Sequence, residues 1–150
     1  MPRLKIRDLP APALIGWRER VKLPQLGIGV IIAKVDTGAR SAALHAEDIE
    51  LHGHRVRFRV PVNGRDHHCD LAVAGRRRVK SSSGHGETRV VVETDVVIGV
   101  HRFAIEVTLT DRADMGVPML IGRTSIRGRF VVHPGRSFIV SQRKRKSKTA

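Results

Sequence analysis

An all-β domain, closed as a barrel or stacked as a sandwich, is the fold class that three features of the sequence predict. Short apolar runs with period-two alternation recur along the chain, and Gly-, Asn- and Ser-rich turns separate them. The apolar content is drawn mostly from Val, Ile, Leu and Ala, with four Phe, one Trp and no Tyr, and the branched residues among these favour strands. At 150 residues and 41% apolar content the chain suits one compact domain with its own core.

Residues 1–13 hold three prolines and no sustained periodicity, so an N-terminal arm is expected there, ahead of one β domain over residues 14–141. From Trp17 to Leu23 the residues Trp17, Val21 and Leu23 share one parity and Arg18, Arg20 and Lys22 the other, which predicts a half-buried strand. Glu19 alone breaks that alternation. Gly29 to Val35 is mostly apolar and predicts a buried strand that runs directly into Asp36-Thr37-Gly38. Arg55-Val56-Arg57-Phe58-Arg59-Val60 alternates most cleanly, and a turn near Asn63-Gly64 followed by Leu71 and Val73 makes it a hairpin. The Gly- and Ser-rich stretch Lys80 to Glu87 then links extended segments that continue through Val90 to Val92 and Val96 to Ile98. Phe103, Ile105, Val107 and Leu109 repeat with period two, and Met119 to Ile121 and Phe130 to Val132 add short buried runs. One short helical turn is expected over Thr124 to Arg127. Residues 142–150 contain no apolar residue except Ala150 and are expected to be a disordered basic tail.

Net charge is +14, of which Arg143, Lys144, Arg145, Lys146 and Lys148 supply five, leaving +9 on the rest. Such a field attracts nucleic acid, ribosomes or acidic peptides, although a solvated tail with no dedicated partner is the plain alternative. The single cysteine, Cys69, has no internal partner, and Met1-Pro2-Arg3-Leu4-Lys5 lacks the apolar run of a secretion signal, so a cytoplasmic protein is expected. The longest unbroken apolar run is too short to cross a bilayer, and no membrane association is expected.

The chemistry points to Asp36. A carboxylate placed at the end of a buried strand can hold or release a water proton, the Thr37 hydroxyl can brace the turn, Gly38 lets a second backbone approach, and Ala39 keeps the site small. Alone, Asp-Thr-Gly is also an ordinary turn. Two carboxylates side by side share a proton and so supply one acid and one base. No second Asp-Thr-Gly or Asp-Ser-Gly occurs in the chain, so a second carboxylate has to come from a second copy, in a two-fold homodimer.

Here the sequence resembles retropepsins, in which a hydrophobic strand leads into Asp-Thr-Gly-Ala and a later apolar pair precedes Gly-Arg, as in Leu120-Ile121-Gly122-Arg123. It is more similar still to a bacterial family of small retropepsin-like proteins, many of which carry the label ATP-dependent zinc protease. The shared stretches are Ile15-Gly16-Trp17-Arg18-Glu19, Lys34 to Ser41, Ala43-Leu44-His45, Ser83-Gly84-His85 with Arg89-Val90-Val91, and Met119 to Arg123. The resemblance implies a retropepsin-like closed or partly closed barrel with one short C-terminal helix, a homodimer, and aspartic endopeptidase activity. In some members it also implies association with an ATP-grasp enzyme that adds glutamates to a ribosomal protein, hence acidic or glutamate-tailed substrates. By the same resemblance residues 81–87 take the place of the flap that closes over substrate, so Ser83, Gly84, His85 and Gly86 join Ala39, Arg40 and Arg123 as candidates for binding substrate. Arg40 stands where many retropepsins carry an acidic residue, and is a candidate to pair with a carboxylate of the dyad or of the substrate.

Rival chemistries have less support. His-Glu-x-x-His is absent, and in His67-His68-Cys69-Asp70 only alternate residues share a strand face, so no metal site is expected. Neither a phosphate-binding Gly-x-x-x-x-Gly-Lys nor a Gly-x-Ser-x-Gly elbow occurs, so no nucleotide cofactor and no serine nucleophile are expected. The alternative from another class is a non-catalytic basic module that binds ribosomal RNA or an acidic protein through the arginines of residues 55–59 and the tail. Scarce aromatics leave it no stacking platform for single-stranded RNA.

Overall fold

The computed structural model describes residues 11–80 and 84–141. Its elements in chain order are β1 (Ala13–Gly16), β2 (Arg18–Leu23), β3 (Ile28–Val35), β4 (Ala42–His45), β5 (Glu47–His52), β6 (Arg55–Val62), β7 (Arg65–Ala72), β8 (Gly75–Lys80), β9 (Gly86–Ile98), β10 (His101–Thr110), β11 (Met119–Ile121), the helical turn α1 (Arg123–Ile126) and β12 (Phe130–His133). Six strands close a ring in the order β10-β4-β11-β3-β2-β9, with β9 returning to β10. β8 extends the ring outward from β9 as the second arm of a hairpin. A three-stranded sheet, β5-β6-β7, and a parallel pair, β1-β12, complete the chain.

The fold is therefore the expected all-β closed barrel with one short helix. Its core is aliphatic: Ile15, Leu23, Leu44, Val92, Ile98, Met119 and Ile121 are all fully enclosed. β6 and β7 pair through eight residues around the two-residue turn Asn63-Gly64. Both turn residues have positive φ, 52° and 74°, the left-handed geometry that Asn and Gly tolerate and that matches the twist of a tight hairpin.

Three readings change in detail. β3 is not uniformly buried: Ile31 and Ala33 face the core while Val30 is 47% exposed and Lys34 faces solvent, because only one face of a barrel wall meets the interior. Val90 to Val92 and Val96 to Ile98 are two parts of the single long strand β9, which pairs with β8 at one end and β10 at the other. Glu19 is also no lapse in the pattern of β2, since it points inward with Val21 and Leu23 and is wholly buried. Its Oε2 accepts from the Gly16 N–H at 2.6 Å and the Ile139 N–H at 2.9 Å, and its Oε1 from the Ser141 hydroxyl at 2.6 Å. A carboxylate replaces an aliphatic side chain there because it ties the segment after β12 to the barrel.

Among the described residues no helix is long and apolar enough to cross a membrane. Of the expected arm over residues 1–13, residues 1–10 lie outside the described residues and Ala13 already begins β1; the expected tail over 142–150 lies outside them too.

Candidate active site

Asp36 leaves the end of β3 at the point where three segments cross. Its N–H donates to Ile121 O of β11 at 2.9 Å, and β11 runs parallel to β3 with Ile121 opposite Val35. On the far side of Gly122, the Arg123 and Thr124 N–H groups donate to Ala39 O and Arg40 O at 2.8 and 3.0 Å. Backbone bonds from both sides of Gly122 thus hold the loop 36–40, which fixes the carboxylate without using its oxygens.

Within the loop, Asp36 Oδ1 accepts from the Gly38 N–H at 3.0 Å, and the Ala39 N–H donates to Asp36 O at 3.1 Å. The Arg123 guanidinium donates to Thr37 O at 3.1 Å and Gly38 O at 2.9 Å. Arg123, a candidate for binding substrate, braces the loop from the adjoining helical turn. Thr37 is exposed, and its hydroxyl makes no hydrogen bond among the described residues. The close backbone approach expected at Gly38 occurs instead at Gly122. A Cβ on Gly122 would lie 2.5 Å from Ser41 O and 2.6 Å from Ser41 C, whereas one on Gly38 would meet only Asp36 Oδ1, at 3.2 Å.

The carboxylate opens into a cleft of about 620 Å³ lined by Gly38, Ala39, Arg40 and Ser41 of the loop, by Arg77 to Lys80 of β8, and by Arg89 of β9 and Arg112 beyond β10. Arg40, Arg77, Arg78, Lys80, Arg89 and Arg112 are six cations against one carboxylate, Asp36. Arg77 is paired with Glu106, Arg89 with Glu87 and Arg112 with Asp114. Arg40, Arg78 and Lys80 make no salt bridge among the described residues. The sequence reading singled out Arg40 and missed the others of this wall, although Arg76-Arg77-Arg78 was visible as a basic run; β8 as a strand lining the site was the missing step. Of the candidates on the hairpin tip, His85 and Gly86 line a smaller annex of the cleft, Gly84 is exposed with φ 85°, and Ser83 lies outside the described residues.

On the three-stranded sheet several charges pair with one another. Arg55 and Arg57 both bind Asp70, whose carboxyl Arg55 foremost and Arg57 next hold below its ordinary range. Arg59 binds Glu47, Asp48 and Asp66, and its bonds to Asp48 and Asp66 raise its pKa. The arginines of the face proposed for RNA are thus paired with acidic neighbours, including around the cavity of about 340 Å³ between β5, β6 and β7.

Two groups of possible metal ligands among the described residues are otherwise engaged. Burial pushes the Cys69 thiol up to about 11, so it remains a thiol, and Asp70 is engaged by two arginines. One group not foreseen, His45, Glu47 and Asp111, brings three possible ligand atoms within 4.8 Å of one another. However, His45 Nδ1 accepts from the Arg112 N–H at 3.0 Å, which leaves its proton on Nε2, 3.5 Å from Glu47 Oε1. With Nδ1 accepting, metal binding through Nε2 would require the imidazolate anion, whereas metal-bound histidines normally donate from their second nitrogen.

The family model described as retropepsin-like aspartic endopeptidase RimB matches residues 14–143. The chain belongs to the RimB-like family. A crystal structure of Lpg0085, a Legionella pneumophila protein of unknown function, superposes on this RimB-like chain with a TM-score of 0.74 at 30% identity, covering 87% of this chain and all of that one. A Shewanella halifaxensis protein named probable alpha-L-glutamate ligase is 34% identical over 142 residues, which are 86% of this chain and 30% of that protein. A Parasynechococcus marenigrum protein of the same name is 36% identical over 129 residues, 81% of this chain and 28% of its own length. The RimB-like chain thus spans under a third of the length of these curated relatives.

Proposed function

We propose that this RimB-like chain is an aspartic-type endopeptidase that works as a homodimer on acidic, glutamate-rich protein segments. The observation that carries the reading is a single carboxylate, Asp36, held by backbone bonds at the mouth of a cleft whose other charges are all cationic. One carboxylate per chain calls for a second across a two-fold axis, and the exposed Thr37 leaves the loop accessible to a second copy. Leu14 and Val131, in register on β1 and β12, are 44% and 50% exposed and offer apolar area for the same contact.

In the reaction one Asp36 takes a proton from water as the water oxygen bonds to the scissile carbonyl carbon. The other, protonated, donates to the carbonyl oxygen. Collapse of the tetrahedral intermediate breaks the C–N bond, and the proton first taken from water passes to the leaving nitrogen. Thr37 and Gly38 position the pair, Arg123 holds their carbonyls, and the β8–β9 hairpin covers the bound segment. The cleft cations would bind glutamate side chains, which fits relatives named as glutamate ligases and a substrate carrying added glutamates.

The test is cleavage of glutamate-rich and neutral peptides, read by mass spectrometry across about pH 4 to 8, with wild type and Asp36→Asn, with and without chelator. Loss of cleavage in Asp36→Asn with no effect of chelator supports the mechanism. Cleavage that survives in the variant, or that chelator abolishes, refutes it.

A further inference from the structure

The cleft and an annex of about 120 Å³ share Val79, Arg89 and Arg112. In the annex one oxygen of Glu87, Oε1, accepts from Arg89 Nε at 2.5 Å and from the Thr110 hydroxyl at 3.0 Å. Arg89 is 7% exposed and Thr110 is 2% exposed, whereas Glu87 is an exposed residue of the hairpin strand. Arg112 adds a second cation beside the same carboxylate, and Arg89, Thr110 and Arg112 in that order of effect hold Glu87 below its ordinary pKa. Glu87 and Arg89 stand two residues apart on the hairpin part of β9, whereas Thr110 ends β10 and Arg112 follows it, so the donors come from both the hairpin base and the barrel.

Its place in the topology is distinctive. The β9–β10 ladder ends at Val91 opposite Thr108. Beyond that pair β9 continues with β8, and β10 continues with β4. The Glu87 to Thr110 bond spans the gap where the two strands part, and so ties the base of the hairpin to the barrel.

We propose that Arg89, Thr110 and Arg112 form a carboxylate subsite of the cleft, occupied by Glu87 until a carboxylate of an acidic peptide displaces it. The inference rests on the acidic-substrate part of the proposed function and not on peptide cleavage. Two carboxylates compete for one set of donors, and the exposed position of Glu87 lets water solvate it once it is displaced. A neutral peptide has no group to exchange for Glu87, so the internal occupant rejects neutral ligands from this subsite while admitting acidic ones. Release of Glu87 also removes the tie between hairpin and barrel, so binding and hairpin opening are coupled.

The experiment is calorimetric titration of triglutamate and of triserine into Asp36→Asn protein, with and without Glu87→Gln, so that turnover does not interfere. Removing an internal competitor raises apparent affinity by the inverse of the fraction of time the subsite is open. Triglutamate is expected to bind roughly tenfold more tightly to the Glu87→Gln protein, with triserine unchanged. Glu87→Asp, too short to reach both donors, is expected to act in the same direction, and serves if Glu87→Gln does not fold. Hydrogen exchange at residues 86–90 of the Glu87 protein is expected to speed up on addition of triglutamate. Unchanged or weaker triglutamate binding in folded Glu87 variants overturns the subsite and makes Glu87 a strut. If triglutamate binds none of the proteins, the subsite falls together with the acidic-substrate reading, whereas Asp36-dependent cleavage of another peptide leaves the catalytic reading intact.

Discussion

Replacing Glu19 by Gln tests whether a buried carboxylate holds the segment after β12 onto the barrel. Glu19 receives the Gly16, Ile139 and Val140 N–H groups and the Ser141 hydroxyl, and Ser141 Oγ in turn accepts from the Arg20 N–H at 2.7 Å. Gln keeps one carbonyl oxygen but turns an NH2 group toward donors that had faced an acceptor. Hydrogen bonds to a charged group contribute about 1.5–3 kcal/mol each, yet the four do not add. Ile139, Val140 and Ser141 are part-buried and regain water when the segment lifts, while Gly16 is buried and its N–H stays unsatisfied at a cost of about 1–3 kcal/mol. Lifting the segment also parts Phe138 from Arg20, whose guanidinium lies 3.9 Å from the ring centroid, a contact of about 0.5–1 kcal/mol. The sum is about 3 kcal/mol, or a fall in melting temperature of roughly 6–12 °C for a domain of this size. Calorimetry gives the shift, and hydrogen exchange at Ile139 and Val140 shows whether the segment has lifted. A shift below about 2 °C with unchanged exchange at both amides would refute the reasoning.

Two further substitutions probe the loop that carries Asp36. Gly122→Ala places a methyl group against the Ser41 backbone, which has no flexible atoms to yield, so the loop and the helical turn must separate. A loss of stability of about 1–3 kcal/mol is expected by chemical denaturation, with loss of peptide cleavage. Arg123→Met keeps the length of the side chain and removes its two bonds to Thr37 O and Gly38 O. Because these carbonyls are exposed, the cost in stability is about 1 kcal/mol or less, while kcat is expected to fall with KM little changed, as measured by steady-state cleavage of a glutamate-rich peptide.

How much of this was legible depended on whether a residue's role lay in local pattern or in long-range contact. The β6–β7 hairpin, the strand into Asp36 and the helical turn could be read because alternation and turn chemistry are local, whereas the link between Asp36-Thr37-Gly38 and Leu120-Ile121-Gly122-Arg123 came from the resemblance to retropepsins. β4 and β5 were not, since Ala42 to His45 is enclosed on both faces and shows no alternation, and Glu47 to His52 is mostly polar. The parallel pairing of β1 with β12 joins residues more than a hundred positions apart, beyond any local signal. Glu19 is the instructive case. Its departure from alternation was visible, but its cause lies at residues 139–141, and Gly16 beside it is required because a Cβ there would lie 2.5 Å from Arg136 O. The stretch Ile15 to Glu19, quoted for the family resemblance, is thus a docking surface for the segment after β12.

The same distinction governs the charge. A net charge of +14 offered two places for a partner, the arginines of β6 and the rest of the surface, and composition cannot choose between them. Register does. Arg57 faces Asp70 and Arg59 lies opposite Glu47 across neighbouring strands, so the sheet that carries the cleanest arginine alternation is also the one that supplies its counter-ions. On β8 the facing residues of β9 opposite Arg76, Arg77 and Arg78 are Val90, Arg89 and Thr88, none of them acidic; Glu106 of β10 pairs with Arg77, and Glu87 is taken up by Arg89. Six cations thereby line the cleft that holds Asp36, three of them without a salt bridge among the described residues. A ligand drawn by that field arrives at the one carboxylate in the cleft placed for chemistry, which is why the proposed reaction and the proposed substrate class stand on the same strands.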